Sequence, residues 1–211
     1  MSEPANESSQ RRLRRLPRRW RVALDWTATI VGAVAIVLAV KSWVVNPYRI
    51  PSSSMEPTLH CARPETGCLA MYSDRVLANR FIYHFRNPHR GEIVVFEVPS
   101  AALHGGCAGD MSDTFVKRLL GLPGESIRED GSGFIWINGR RLYEPYVQAT
   151  RRAQDLTYRN RSWRVPEHSY FMVGDNRGQS CDSRSWGAVP RSNLIGSVFM
   201  TYWPPQRISF R

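Results

Sequence analysis

The sequence predicts one mainly-β domain behind a single membrane-spanning helix. Three observations carry this expectation. An apolar run occupies 22–45, short segments rich in branched and aromatic residues follow it, and no long amphipathic helical pattern occurs outside that run. With 211 residues the chain is long enough for one sizeable domain plus an anchor.

Val22 to Val45 reads VALDWTATIVGAVAIVLAVKSWVV, with no charge between Asp25 and Lys41. About twenty apolar residues cross a hydrocarbon core, and this run reaches that length with its flanks. Trp26 and Trp43 suit the two interfaces, and the Lys41 ammonium can snorkel from the end of the run. A removable signal peptide needs a small-residue cleavage site, and Lys41-Ser42-Trp43-Val44-Val45-Asn46-Pro47 supplies none. Seven arginines lie between positions 11 and 21, against Glu3 and Glu7. The excess of positive charge on that side orients the helix. The expected organisation is a cytoplasmic basic tail at 1–21, a signal anchor at 22–45 and an extracytoplasmic domain at 46–211, on the periplasmic or extracellular face of an inner or plasma membrane. The lipid bilayer is thus one expected partner.

A formal charge of +11 raises the question of nucleic acid. Much of that charge is the arginine cluster before the anchor, and the rest is spread without a dense basic helix or an aromatic RNA-binding signature. No nucleic-acid partner is expected.

After the anchor, Leu69–Phe85, Gly91–Val98, Phe115–Leu120, Ser126–Arg128, Phe134–Tyr143, Tyr170–Val173 and Leu194–Trp203 have the composition of strands. Asn138-Gly139 marks a tight hairpin within one of them. Residues 100–113 and 148–162 read as polar loops. None of Cys61, Cys68, Cys107 and Cys181 forms a CxxC pair, so no metal site is expected, and His60 and His104 beside cysteines do not change that. An oxidising exterior permits disulfides. Cys61–Cys68 closes a short loop and is the preferred bridge among three possible full pairings.

Arg49-Ile50-Pro51-Ser52-Ser53-Ser54-Met55-Glu56-Pro57-Thr58-Leu59 follows the anchor closely. Its two prolines fix φ and hold Ile50 and Glu56 extended, so three hydroxyls sit between stiff points. Taken alone, such a cluster reads as an ordinary loop. A serine nucleophile needs a base. None of the five histidines stands in a triad context and no GxSxG elbow exists. Lys117 is the other available base, and of 29 basic side chains only Lys41 and Lys117 are lysine. Arginine stays protonated, whereas a buried lysine can titrate. To act near pH 7 the amine must be neutral far below its ordinary value of about 10.4, at a cost of about 4 kcal/mol. Burial among Phe115, Val116, Leu119 and Leu120 can meet that cost. The bland alternative is a strand-edge lysine with its head in water. A third segment, Gly174 to Val189, follows the strand Tyr170–Val173 and reads on its own as a structural loop.

Four ordered blocks together resemble the bacterial type I signal peptidases, membrane-bound leader peptidases with a Ser–Lys dyad. They are Pro51-Ser52-Ser53-Ser54-Met55-Glu56-Pro57-Thr58-Leu59, Arg90-Gly91-Glu92-Ile93-Val94-Val95-Phe96, Phe115-Val116-Lys117-Arg118-Leu119-Leu120-Gly121-Leu122-Pro123-Gly124-Glu125, and Gly174 to Val189. Glu92 departs from the family, where aspartate is common. The resemblance implies a domain of coiled antiparallel β-sheets with a reduced accessory β-region. It implies Ser54 as nucleophile, Lys117 as general base, and Ser52 with the Ser54 backbone N–H as oxyanion donors. Ser180 would orient Lys117, and Asp182 with Arg184 would support the loop. Tyr48, Ile50, Pro51, Met55, Leu59, Phe115 and Val116 would line shallow apolar pockets for small residues, as in the A-x-A end of a signal peptide. The implied partners are secretory preproteins, and no cofactor is implied. Two other readings use the same residues: a specialised processing peptidase of a conjugation system, and a non-catalytic membrane-tethered β-domain. A self-cleaving repressor would need a DNA-binding module where this chain carries an anchor.

Overall fold

The computed structural model describes residues 17–43, 45–100, 102 and 114–211. Residues 1–16 of the expected tail at 1–21, most of the expected loop at 100–113, and Cys107 and His104 lie outside them. The chain divides into two compact units, Met1–Val44 and Val45–Arg211.

The first unit contains the helix Arg18–Trp43. It begins four residues before the expected apolar boundary. Arginine is a good helix former and proline suits a first turn, and the Trp20 N–H donates to the Pro17 carbonyl at 2.9 Å. Its 26 residues give a length of about 39 Å. The stretch Arg18–Leu38 has a mean hydropathy of 1.7 with none of it buried by protein. A helix apolar all round has no stable place in water, and this one is long and apolar enough to cross a membrane.

The second unit is mainly β. Its strands are β1 (Val45–Arg49), β2 (Arg75–Asn79), β3 (Ile93–Glu97), β4 (Thr114–Gly121), β5 (Ser126–Glu129), β6 (Ile135–Ile137), β7 (Arg140–Arg141), β8 (Ser162–Arg164), β9 (Ser169–Val173), β10 (Val189–Pro190), β11 (Leu194–Trp203) and β12 (Ser209–Phe210). Among the described residues they form an eight-stranded sheet, ordered β1-β2-β11-β3-β4-β9-β10 with β12 on β11, and a four-stranded sheet ordered β7-β6-β5-β8. All these pairings are antiparallel. Register shifts within β11 bend the larger sheet where it meets β2 and β3. Val94, Phe96, Leu119 and Met172 fill one part of the core, while Leu120, Ile127, Ile135 and Phe171 join the two sheets in another. Each such side chain contributes about 1.5–3 kcal/mol on full burial. Asn138 and Gly139 both have positive φ, 49° and 79°, as the expected two-residue hairpin demands.

Two segments differ from expectation. Of Leu69–Phe85 only β2 is extended, because the Asn79 side chain accepts from the backbone N–H groups of Phe81 and Ile82 and starts a helical turn at Ile82–Phe85. The expected loop at 148–162 contains the helix Ala149–Gln154 and meets β8 at its end. Polar composition concealed both, since β8 turns only Trp163 inward, against Phe171. Cys61 and Cys68 are disulfide-bonded, and Cys181 is disulfide-bonded as well. Fully buried Glu56 accepts from the backbone N–H groups of Cys61 and Leu69 at 3.2 and 3.1 Å, and its other oxygen meets His60 Nδ1. This carboxylate joins the disulfide loop to the serine turn.

Candidate active site

The chain leaves β1 extended through Ser52, at φ −120° and ψ 160°, and then makes a single 3₁₀ turn, Ser53–Met55. Ile50 is pinned before that turn by its N–H bond to the Asp74 carbonyl at 3.0 Å. Lys117 lies in the middle of β4, paired in register with Val94 of β3. Strand alternation puts Phe115 and Lys117 on one face, and Nζ sits 5.1 Å from the Phe115 ring centroid. Lys117 Nζ donates to Ser54 Oγ at 2.6 Å, across 63 positions of sequence. Both residues are buried, with 4% and 6% of their surface exposed. Ser52 Oγ is 3.2 Å from Ser54 Oγ.

Beside this pair is a small cleft of about 40 Å³, room for a few water-sized groups. Tyr48, Ile50, Pro51, Met55, Phe115 and Val116 line it together with Ser52, Ser54 and Lys117. Arg49 and Thr114 line it too, and the sequence had not singled them out. Leu59 does not line the cleft. It is fully buried and packs with Ile50 and Met55 in the core, because the backbone turns inward at Leu59, whose N–H bonds to the Met55 carbonyl.

The loop after β9 closes over the serine turn. The Asn176 backbone N–H donates to the Ser54 carbonyl at 3.0 Å, and its side-chain amide donates to the Ser53 carbonyl at 2.9 Å. Gln179 Oε1 accepts from both Asn176 and Ser53 Oγ at 3.1 Å. Asp175 is held by Arg118, at 2.8 and 2.6 Å, and by the Thr58 hydroxyl. Sequence reasoning missed Asn176, Asp175 and Arg118 as site residues, for an asparagine in a turn gives no signal beyond the turn itself. Ser180 Oγ is buried with no hydrogen-bond partner among the described residues, so no bond joins it to Lys117. It lies across Gly174 from Ser54: a Cβ added at Gly174 would overlap Ser180 and come within 2.5 Å of the Ser54 carbonyl oxygen.

Asp182 and Arg184 are fully buried and bonded to each other at 2.9 and 3.0 Å. Arg184 also reaches Glu129, at 3.3 Å, and Asp155. Asp182 further accepts from the Gly174 N–H at 3.1 Å. Burial opposes ionisation of Asp182, but the charge and hydrogen bonds of Arg184 outweigh it and hold the carboxyl below its ordinary range. Burial conversely raises Glu129, in spite of Arg184. A lowered folded-state pKa stabilises the fold above the ordinary carboxylate range, about 4, and this is lost as pH falls through the lowered value. Asp182→Asn is expected to cost about 3 kcal/mol at pH 7, with the gap from wild type narrowing below about pH 4. Thermal unfolding of both proteins at pH 7 and under acid conditions checks this, and an equal gap throughout would contradict it. Glu129 is common to both proteins and drops out of the comparison to first order.

A family described as "Signal peptidase, peptidase S26" matches residues 23–203. A protein named "Probable signal peptidase I-2" from Synechocystis sp. is 38% identical over 185 residues, covering 88% of this chain and 75% of that protein. "Signal peptidase I" of Leptolyngbya laminosa is 37% identical over 185 residues, covering 88% and 82%. A solved signal peptidase I from Enterococcus faecalis has 31% identity and a TM-score of 0.42, over 53% of this chain and 97% of that one. By family match and by identity across most of its length, the chain belongs to the S26 signal peptidases, a family of serine endopeptidases.

Proposed function

We propose that the chain is a membrane-anchored signal peptidase that removes N-terminal signal peptides from exported preproteins, cutting after small residues. Ser54 is the nucleophile and Lys117 the general base. The observation that carries this reading is the 2.6 Å contact between two buried groups at the edge of a cleft too small for bulky side chains. Burial disfavours an ammonium. With the amine neutral, the same contact runs the other way, from Ser54 O–H to the lone pair of Nζ.

Ser54 Oγ attacks the scissile carbonyl as Lys117 takes its proton. The developing oxyanion is met by the Ser54 N–H and by Ser52, whose hydroxyl waits 3.2 Å from the attacking oxygen. Collapse expels the amine of the mature protein, which receives the proton from Lys117 and leaves an acyl-enzyme. Lys117 then deprotonates a water that releases the signal peptide. Ser180, whose buried hydroxyl makes no hydrogen bond to Lys117 in this arrangement, would orient the amine by turning toward Nζ. Asp182 and Arg184 hold the loop that carries it. Ser52→Ala is expected to lower kcat about a hundredfold with little change in KM, as steady-state cleavage of a precursor peptide would read.

The helix Arg18–Trp43 serves as the anchor, with the basic tail in the cytoplasm and the β-domain on the extracytoplasmic face. Substrates are held in the same bilayer by their own apolar segments, so the shared plane raises their effective concentration. The deciding experiment is cleavage of a secretory precursor by the purified full chain in detergent, with the cut site read by mass spectrometry. Cleavage after an A-x-A end, dependent on Ser54, is expected. A cut elsewhere, or one that survives Ser54→Ala, would end the proposal.

A further inference from the structure

We infer that Glu144, outside all four motif blocks, is a positioning residue for the proposed reaction: it fixes Arg177 and thereby sets the spacing of Ser180 and Ser54 across Gly174. The inference rests on the Ser54–Lys117 reading and extends the site into the segment between β7 and the helix Ala149–Gln154.

The contacts form an unbroken chain. The Glu144 carboxylate is fully buried and paired with Arg177, whose side chain is 2% exposed. The pair has a second contact at 3.4 Å. Arg177 Nε donates to the Gly174 carbonyl at 3.3 Å. Gly174 in turn is the spacer between Ser180 and the Ser54 carbonyl. From the other side, Arg184 donates to the Arg177 carbonyl at 2.8 Å. Arg177 is therefore gripped at both its side chain and its backbone, and Glu144 supplies the charge that holds the side chain.

The same short segment touches the loop at a second point. The Arg118 guanidinium lies 3.9 Å over the ring of Tyr146 while it holds Asp175. Glu144 and Tyr146 thus brace Arg177 and Asp175, which flank the residue that bonds to the Ser54 carbonyl. Behind Glu144 stands Arg152, at 3.8 Å, its guanidinium 4.3 Å over Phe134 next to β6. This line leads from the smaller sheet to the reacting serine. A carboxylate serving only to neutralise a buried arginine needs no such register. One that aims a main-chain carbonyl beside the nucleophile affects turnover more than substrate binding, because the cleft residues lie on β1, β4 and the serine turn.

The test uses the purified full chain in detergent and a precursor peptide, with Glu144→Gln, Arg177→Gln, the double variant and Glu144→Asp. Glu144→Gln leaves the buried Arg177 charge without its carboxylate and Arg177→Gln leaves Glu144 with Arg152 alone, so both are the more exposed to misfolding, whereas the double removes both members of the close pair together. Glu144→Asp keeps the charge but withdraws it by one methylene. The expected results are a kcat reduced about ten- to a hundredfold in Glu144→Gln and several-fold in Glu144→Asp, with KM within about twofold of wild type. The double variant should fall no lower than Arg177→Gln, since both residues act through one contact. Wild-type kcat in Glu144→Asp or in a folded double variant overturns the inference. So does a loss confined to KM, or single effects that multiply in the double. Wild type without Ser54-dependent cleavage overturns the functional reading itself, and this inference with it. Ser54-dependent cleavage that is indifferent to Glu144 overturns only the latter.

Discussion

Lys117→Arg is expected to all but abolish precursor cleavage, with a loss of up to about 10⁴-fold in kcat/KM. The substitution keeps a long cationic side chain, so a role for Lys117 in charge alone predicts substantial residual activity. Arginine cannot give up its proton under working conditions. A neutral amine bonded to the serine hydroxyl is what the proposed chemistry requires, and general base catalysis supplies factors of about 10² to 10⁴. A guanidinium forced into a position only 4% exposed brings its own folding cost. Lys117→Met therefore serves as the companion variant, an unbranched side chain one atom shorter with no charge to bury. Both should be inactive to the level of Ser54→Ala, with Lys117→Met retaining cooperative thermal unfolding. Turnover within tenfold of wild type in either folded variant would remove Lys117 from the chemistry.

Gly174→Ala should be the most damaging change that touches no reacting atom. Its new methyl would occupy the space of Ser180 Oγ and Cβ and press on the Ser54 carbonyl oxygen at 2.5 Å. Neither neighbour has a free way out. The Ser54 carbonyl is bonded to the Asn176 N–H, and the Gly174 N–H and carbonyl are bonded to Asp182 and Arg177. The serine turn, the loop that carries Ser180, or both must shift by a large part of an ångström. A displacement of about 1 Å in a reacting group costs about a hundredfold in rate. The expectation is a kcat lowered about 10²- to 10³-fold with KM little changed, measured on the same precursor peptide. A kcat within threefold of wild type would mean that the site tolerates the shift and that the spacing of Ser54 and Ser180 is not critical.

The residues that announce this site are those whose chemistry is unusual for their surroundings. A lysine in an arginine-dominated chain, placed between apolar neighbours, drew attention to Lys117, whereas Ser54 was singled out among three clamped serines only by the resemblance. The hairpin at Asn138-Gly139 was equally legible, because positive φ at two successive residues leaves few choices. The long apolar helix was plain from its composition, though its first turn was hidden among arginines that propagate a helix as well as leucine does. Asn176, Glu144 and Arg177 were illegible for a common reason. Each is polar and reads as surface, yet each is buried because a partner distant in sequence satisfies it. Leu59 failed in the opposite direction, since an apolar residue next to a motif serves a core as readily as a pocket. The helix Ala149–Gln154 has no buried residue of its own, so no periodicity could reveal it.

The strand order carries a consequence for the life of the molecule. Ser54 lies in the connection between β1 and β2 and Lys117 in the β3–β4 pair, and within the sheet the two pairs are hydrogen-bonded to each other only through β11, which lies between them. That strand is drawn from residues 194–203, made long after both reacting groups. Without β11 no sheet hydrogen bonds would join the strand pair that carries Ser54 to the pair that carries Lys117. The spacing of the proposed nucleophile and base therefore depends on a strand that the chain supplies only near residue 200.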